Sequence, residues 1–97
     1  MKQFIYKKEF VEKAIRKIFQ NKNIDDVLRV LNRYQGSTSD GKRRVQLAIL
    51  KICEGDYEKL DYYVDVANRD YRDILMLAEF DEKKKCELEE PYKDLLA

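Results

Sequence analysis

Two carboxylates one helical turn apart are the first residues in this sequence whose types and spacing suggest chemistry. Asp61 and Asp65 are four residues apart, and Asp56 and Glu58 precede them. Carboxylates at this spacing share one face of a helix and can hold Mg²⁺ or Ca²⁺. The spacing of an EF-hand loop is absent, and an acidic face in contact with water explains the same residues. We therefore predict no metal site and place Asp61 and Asp65 in a candidate interaction surface.

Three consecutive cations, Lys42–Arg44, open the apolar pattern of a predicted third helix. Cations at a helix N-terminus oppose the macrodipole, at about a few tenths of a kcal/mol each, so phosphate binding is one reason to find them there. The turn at residues 54–56 also suggests a helix-turn-helix. The helix after that turn carries Glu58, Asp61 and Asp65, however, and DNA would repel it. Nucleic-acid binding therefore remains an alternative that uses the basic face only.

Tyrosines are numerous for a chain of this length, at seven in 97 residues. Tyr57, Tyr62 and Tyr63 fall together on the predicted fourth helix, where the apolar spacing turns Tyr63 toward the core. Exposed tyrosines beside acidic residues are typical of protein-binding hot spots. A position at the rim of the core is the other interpretation of Tyr57 and Tyr62.

Groups for catalysis are scarce. The chain has no histidine, which removes the commonest general base and the commonest metal ligand. Its two cysteines, Cys53 and Cys86, form no CxxC pair, as expected for free thiols in a reducing cytosol. We predict no catalytic residue, no cofactor and no enzymatic activity.

The elements that position these residues follow from apolar spacing of period 3.6. The chain has 44% apolar and 40% charged residues, with one proline and three glycines, which favours one domain of long helices without sheet. We predict an all-α compact bundle of four to five helices, with Asn23, Asp56 and Asp70 as N-caps and Gly55 closing the third helix. The predicted helices cover about residues 4–19, 23–34, 42–53 and 57–68, with a short fifth from Asp70.

The last residues differ in composition from the rest. Residues 81–90 carry almost no core residues, so we predict a helical domain over residues 1–80 and a charged tail over 81–97, either a solvated helix extension or disordered. No apolar run is long enough to span a membrane, and the charged first residues do not resemble a signal peptide. We therefore expect a cytoplasmic protein without membrane contact.

Charge is unevenly distributed along the chain despite a formal net charge of +1. Residues 1–53 have 13 Lys/Arg and 5 Asp/Glu, whereas residues 54–82 have 3 Lys/Arg and 10 Asp/Glu. The two parts either pair with each other across the bundle or present a basic and an acidic face to a charged partner. Such a dipolar chain can also pair with itself.

Several segments resemble a group of small helical bacterial proteins that carry the pattern RVQLAxLKLSxGdxeKLxxyVexAxxDYRDVLAWAEyp. The matching runs in this chain are Arg44–Ile52, Glu54–Leu60, Tyr62–Val64, Asp70–Leu75 and Ala78–Phe80. The resemblance covers about residues 44–81, with Met76-Leu77 in place of Ala-Trp and Cys53 near an expected serine. It implies a small helical bacterial protein and transfers no functional residue.

The sequence therefore predicts a protein-interaction or regulatory module without chemistry of its own, acting on a protein partner or a second copy. The alternative is a nucleic-acid-associated accessory protein that uses the basic N-terminal half. The candidate interaction surface comprises Lys42, Arg43, Arg44, Tyr57, Asp61, Tyr62 and Asp65.

Overall fold

The computed structural model describes residues 6–20, 22–36 and 39–97. Over these ranges the chain forms five α-helices and one short hairpin, and the predicted all-α bundle is confirmed. The elements are α1 (Lys8–Ile18), α2 (Ile24–Leu31), α3 (Ser39–Cys53), α4 (Tyr57–Glu79), β1 (Phe80–Asp81), β2 (Cys86–Glu87) and α5 (Lys93–Leu96). No helix in the described ranges has both the length and the apolarity to cross a membrane.

The helix boundaries depart from the predicted ones at three places. The first helix is shorter than residues 4–19, and residues 4 and 5 lie outside the described ranges. The second ends at Leu31, because the amides of Arg33 and Tyr34 bond three residues back, in turns that tighten the chain. The third begins at Ser39, three residues before Lys42.

The three predicted N-caps are all observed. Asn23 Oδ1 accepts a hydrogen bond from the Asp25 amide at 2.8 Å, and Asp56 Oδ1 accepts one from the Glu58 amide at 2.9 Å. Asp70 caps in the same way, with its Oδ1 3.0 Å from the Arg72 amide. It does so inside α4, where its extended backbone (φ −158°, ψ 98°) forms a kink between two helical parts.

Each part of α4 has its own buried face. The buried residues before Asp70 fall at spacings of four and three, and those after it at a spacing of four. These residues are Leu60, Val64 and Ala67, and then Ile74 and Ala78. Both parts of α4 therefore pack against the core, on either side of the kink at Asp70.

The central position of α3 is confirmed, since every residue from Val45 to Leu50 is buried. The helix packs between α1 and α4, so it is covered on more than one side. Gln46 is the one buried polar residue of the described core. Its Nε2 donates to the Leu31 carbonyl at 3.2 Å, and its Oε1 accepts from Arg43 at 2.8 Å. These bonds satisfy the amide and join α3 to the end of α2.

The turn between α3 and α4 uses two left-handed residues. Gly55 has φ +77°, and Glu54 before it has φ +53°. A Cβ on Gly55 would lie 2.8 Å from the carbonyl oxygen of Ile18, a backbone atom that cannot move aside cheaply. Both the backbone conformation and this close approach require glycine, which confirms its predicted place after the third helix.

The end of the chain contains the largest differences from the prediction. Phe80 pairs with Glu87, and Asp81 with Cys86, in an antiparallel hairpin where no sheet was predicted. Its turn is closed by Asp81 Oδ1, which accepts hydrogen bonds from the amides of residues 83 and 84. Such a capped turn needs no alternating apolar pattern, so the periodicity could not reveal it.

The predicted boundary at residue 80 does not divide a domain from a tail. Residues 82–90 are exposed, but the chain then returns to the bundle, where Tyr92 is 2% exposed and Leu95 is also buried. Helix α5 packs against α1. The charged tail predicted over residues 81–97 is therefore part of the core at residues 92–95, since two large apolar side chains there are removed from water.

Candidate functional site

Two residues of the basic triplet Lys42–Arg44 have partners within the bundle. Because α3 begins at Ser39, the cations lie past its first orphan amides, where the macrodipole argument is weaker. Arg43 donates to Gln46, and Arg44 is paired with Glu79 of α4. Lys42 has no hydrogen bond or ion pair with another described residue. Two of the three cations thus make contacts inside the chain, and their grouping as an interaction surface stays a prediction.

Arg44 belongs to a cluster that attaches the C-terminal segment to the bundle. Its Nε lies 2.9 Å from Oε2 of Glu79, its Nη2 donates to the other carboxylate oxygen, and the hydroxyl of Tyr92 donates to Oε2 as well. The Glu79 side chain is 14% exposed, so this carboxylate is largely withdrawn from water. The ring of Tyr6 meets that of Tyr92 edge to face, with centroids 5.5 Å apart.

The protonation states in this cluster suit a structural role. Burial, and then the hydrogen bond to Glu79, raises the pKa of Tyr92 well above its ordinary value, so its hydroxyl stays protonated. The hydrogen bond to the same carboxylate raises the pKa of Arg44, so the guanidinium stays charged. Neither group exchanges a proton near neutral pH, and the arrangement gives no general acid or base.

The paired carboxylates are bound to an arginine. Arg33, just after α2, donates from Nη1 to Asp61 and from Nη2 to Asp65 Oδ1 at 2.8 Å. Since the guanidinium lies between the two carboxylates, the position considered for a cation is taken by a side chain. The bridge joins the end of α2 to the acidic α4, and the Arg44–Glu79 pair joins the basic α3 to it. Part of the predicted charge asymmetry is therefore resolved inside the bundle.

The two predicted tyrosines lie at the surface. Tyr62 is 61% exposed, and its ring touches that of Tyr63 edge to face at 5.4 Å. Tyr57 is less exposed, and Lys22 Nζ lies 5.5 Å from the centroid of its ring. Tyr63 is half-buried, in keeping with its predicted inward position. Of the two, Tyr62 presents the larger free aromatic surface.

The exposed surface around Tyr62 on α4 also includes two apolar residues that were not predicted from the sequence. Met76 and Leu77 are 58% and 61% exposed. Tyr62 and Arg69 are exposed on the part of α4 before Asp70, and Met76 on the part after it, each away from the buried residues of its own part. We name Tyr62, Arg69, Met76 and Leu77 the outer α4 face. The available signal was the spacing within the residues after Asp70, where the buried Ile74 and Ala78 leave Met76 and Leu77 outward.

A shallow groove of about 330 Å³ adjoins the outer α4 face at the hairpin. Its floor is apolar and its rim carries both signs of charge. It is lined by Leu75, Met76 and Phe80, and by Arg44, Arg72, Glu79 and Glu87. An apolar floor with a charged rim is the usual anatomy of a protein-binding patch.

The other thiols and amines of the described residues are not gathered into a site. Cys53 is buried, and burial raises the pKa of its thiol, whereas Cys86 is exposed on β2; both are free. Burial lowers the pKa of Lys51, whose Nζ donates to the carbonyl of Ala78 at 2.6 Å. Within the described ranges, no three Cys, Asp or Glu residues are grouped so that they could hold a metal ion.

Comparison of the chain with models of protein families, with curated proteins and with solved structures gave no match.

Proposed function

We propose that this chain is a non-catalytic protein-interaction module that binds its partner through the outer α4 face. One observation carries the proposal. Of the six large apolar side chains exposed in the described part of the chain, five lie on α4: Tyr57, Tyr62, Tyr71, Met76 and Leu77. Exposed apolar residues scattered singly need no explanation, but their concentration on one helix does.

The chemistry of these side chains favours a protein as the ligand. Tyrosine combines a large apolar ring with a polar tip, and methionine adapts its shape to irregular surfaces. Aromatic residues, methionine and arginine are the types enriched at protein interfaces, and Tyr62, Met76 and Arg69 supply one of each. The groove beside Met76 offers a concave, apolar position for a side chain of the partner.

Nucleic-acid binding through the basic N-terminal half is the second candidate and has less support. Affinity for a phosphate backbone depends on how many cations are free to replace its counterions. Arg33 and Arg44 are engaged with carboxylates of α4, which lowers that number. The acidic residues of α4 add a field that opposes phosphate at close range.

Quantitative affinity capture from the native cell tests the proposal. The baits are the tagged wild-type chain, the double variant Tyr62→Glu/Met76→Glu, and Lys13→Glu as a control at an exposed position of α1. We expect the wild type and the control to retain the same protein, and the double variant to retain at least about tenfold less, since charges in a desolvated apolar centre are costly. Equal retention by all three baits would refute the proposal.

A further inference from the structure

A cavity of about 450 Å³ lies beside the kink of α4, apart from the groove at the hairpin. One wall is the chain that follows α2, and the other is the part of α4 around Asp70. The volume falls within the range of about 300–1,000 Å³ that is usual for pockets that bind small organic ligands. The side chains that bring polar or aromatic groups to it are Tyr34, Gln35, Asn68, Arg69, Tyr71 and Arg72.

The two walls of this cavity are held together by Asn68. Its Oδ1 accepts a hydrogen bond from the Gln35 amide at 3.0 Å, and its Nδ2 donates to the Arg33 carbonyl at 3.1 Å. Gly36 packs so closely on Tyr34 that a Cβ at this position would lie 2.8 Å from the ring. The ring is therefore fixed in place without a ligand, which lowers the cost of ordering the site when a ligand binds.

Tyr34 carries a hydroxyl that the fold does not use. The residue is 6% exposed, yet its hydroxyl forms no hydrogen bond with another described residue and is not sealed from solvent. Burial, and then the nearby phenol of Tyr71, raises the pKa of Tyr34, so the hydroxyl stays protonated and can donate. Since a buried tyrosine hydroxyl usually has a hydrogen-bond partner, this one indicates a group that a ligand supplies.

The cavity also carries more positive charge than it neutralises. Arg72 is bound to Asp70 by two hydrogen bonds, from Nε at 3.0 Å and from Nη2 at 3.1 Å. Arg69 is exposed and has no ion pair with another described residue. Two guanidinium groups against one carboxylate leave an excess of positive charge, and the planar fork of an arginine matches the oxygens of a phosphate.

The other groups of the cavity suit a planar ring that carries hydrogen-bonding atoms. Tyr71 is 47% exposed, so the face of its ring is available for stacking with a base. The side-chain amide of Gln35 is exposed and forms no hydrogen bond with another described residue. An amide both donates to and accepts from the edge of a nucleobase. A phosphate alone would leave most of the cavity empty, so the ligand that fits joins an anionic group to a ring.

We infer that this cavity binds a nucleoside monophosphate, with its phosphate on Arg69 and the hydroxyl of Tyr34, and its base against Tyr71 and Gln35. The inference goes beyond the proposed function, because it adds a small ligand whose site adjoins the outer α4 face at Arg69. A nucleoside lacks the charge that the arginines attract, and inorganic phosphate lacks the ring.

Calorimetric titration of the full chain tests this inference. The probes are AMP, GMP, CMP and UMP, each nucleoside without its phosphate, and inorganic phosphate alone. We expect at least one nucleotide to bind with a Kd of about 100 µM or tighter, and its nucleoside and inorganic phosphate to bind at least about tenfold more weakly. In amide NMR spectra, the nucleotide should shift the resonances of residues 34–36 and 67–72, which form the two walls.

Two variants and a matched control locate the site. Tyr34→Phe keeps the buried ring and removes only the hydroxyl, and Arg69→Gln removes a charge that the fold does not pair. Each should weaken binding of the nucleotide at least about tenfold, because a hydrogen bond to a charged phosphate is lost. Arg16→Gln removes an arginine at an exposed position of α1 and should bind as the wild type does. Thermal unfolding establishes that each variant is folded.

Three outcomes would overturn the inference. The first is that no nucleotide binds at about 5 mM, well above the expected Kd. The second is that Tyr34→Phe binds as the wild type does, and the third is that Arg16→Gln weakens binding as much as Arg69→Gln, as a general attraction of anions to basic residues would. Neither Tyr62 nor Met76 lines this cavity, so capture of a protein that depends on them tests the proposed function separately.

Discussion

Removing the hydroxyl of Tyr92 should destabilise the protein measurably, although the residue lies five positions before the last residue of the sequence. The hydroxyl donates to the carboxylate of Glu79, which Arg44 also holds. A hydrogen bond to a charged group contributes about 1.5–3 kcal/mol, and we take the lower end because Arg44 still satisfies the carboxylate in Tyr92→Phe. For a domain of this size, about 1.5 kcal/mol lowers the Tm by roughly 6–12 °C.

Truncating the whole side chain extends the argument. The ring of Tyr92 is 2% exposed and packs on Tyr6, with Lys51 Nζ 5.9 Å from its centroid. Replacing a buried aromatic residue with alanine costs about 3–5 kcal/mol, so Tyr92→Ala should melt at least about 12 °C below the wild type. Deleting residues 91–97 should cost no less.

Thermal and urea unfolding followed by circular dichroism measure both effects. Tyr62→Phe is the matched control, because Tyr62 is exposed and its hydroxyl bonds to no other described residue; its free energy of unfolding should change by less than about 0.5 kcal/mol. If Tyr92→Phe melts within about 2 °C of the wild type, the hydrogen bond to Glu79 contributes nothing. If Tyr92→Ala does the same, the C-terminal segment is not part of the core.

Three further outcomes can be measured on the same chain. Burial raises the pKa of Tyr92 above its ordinary value of 10.0, so at alkaline pH the folded chain keeps a proton that the unfolded chain loses. The stability that this neutral hydroxyl contributes is complete below about pH 10 and is lost as the pH rises further. As the pH rises above about 10, the urea midpoint of Tyr92→Phe should therefore fall less steeply than that of the wild type, and parallel curves would exclude this linkage. Gly55→Ala should lower the free energy of unfolding in urea by about 2 kcal/mol, because of the left-handed backbone and the contact with the carbonyl of Ile18. The control Glu54→Gly, at a similar φ, should not lower it, and an unchanged value for Gly55→Ala would show that the turn relaxes. In fluorescence anisotropy at physiological salt, a generic DNA duplex should bind no tighter than about 10⁻⁵ M; sub-micromolar binding that disappears when all three residues of Lys42–Arg44 are replaced by Gln in a folded variant would make nucleic-acid binding the leading function.

The sequence predicted the parts of the fold that depend on local signals. The caps at Asn23, Asp56 and Asp70 accept hydrogen bonds from amides two or three residues away, and Gly55 adopts the left-handed backbone that the turn requires at its own position. Such interactions are complete within one turn, so residue type and spacing suffice to place them. The central position of the third helix was also readable, because apolar residues cover most of its circumference.

The docked C-terminal segment depends on distant partners. Tyr92 is buried by Tyr6, Lys51 and Glu79, none of which is near it in sequence. Composition over residues 81–90 indicates only that those residues are polar, and they are exposed as expected. The return of the chain after Pro91 is decided by the shape of a surface that exists only once the bundle has formed.

The candidate interaction surface was only partly predictable from the sequence, for a similar reason. The sequence identified the acidic pair and the exposed Tyr62, and it allowed charge pairing across the bundle. It could not assign Arg33 to Asp61 and Asp65, because which cation meets which carboxylate is a matter of helix packing. Met76 could not be joined to Tyr62 because a helix that starts anew at Asp70 has an unknown rotation relative to the one before it.

The interruption of α4 at Asp70 also affects how the native protein opens. A helix normally frays from its two ends, where amides lack partners within the helix. Here the extended backbone of Asp70 creates a second pair of helix ends in the middle of α4. The side chain of Asp70 accepts a hydrogen bond from the Arg72 amide, which has no partner within the helix at this new end. Amide hydrogen exchange should therefore divide α4 into two cooperative units, residues 57–69 with α2 and residues 71–79 with the hairpin and the C-terminal segment. Local unfolding of the second unit would release Tyr92 and half of the outer α4 face while the first unit stayed folded.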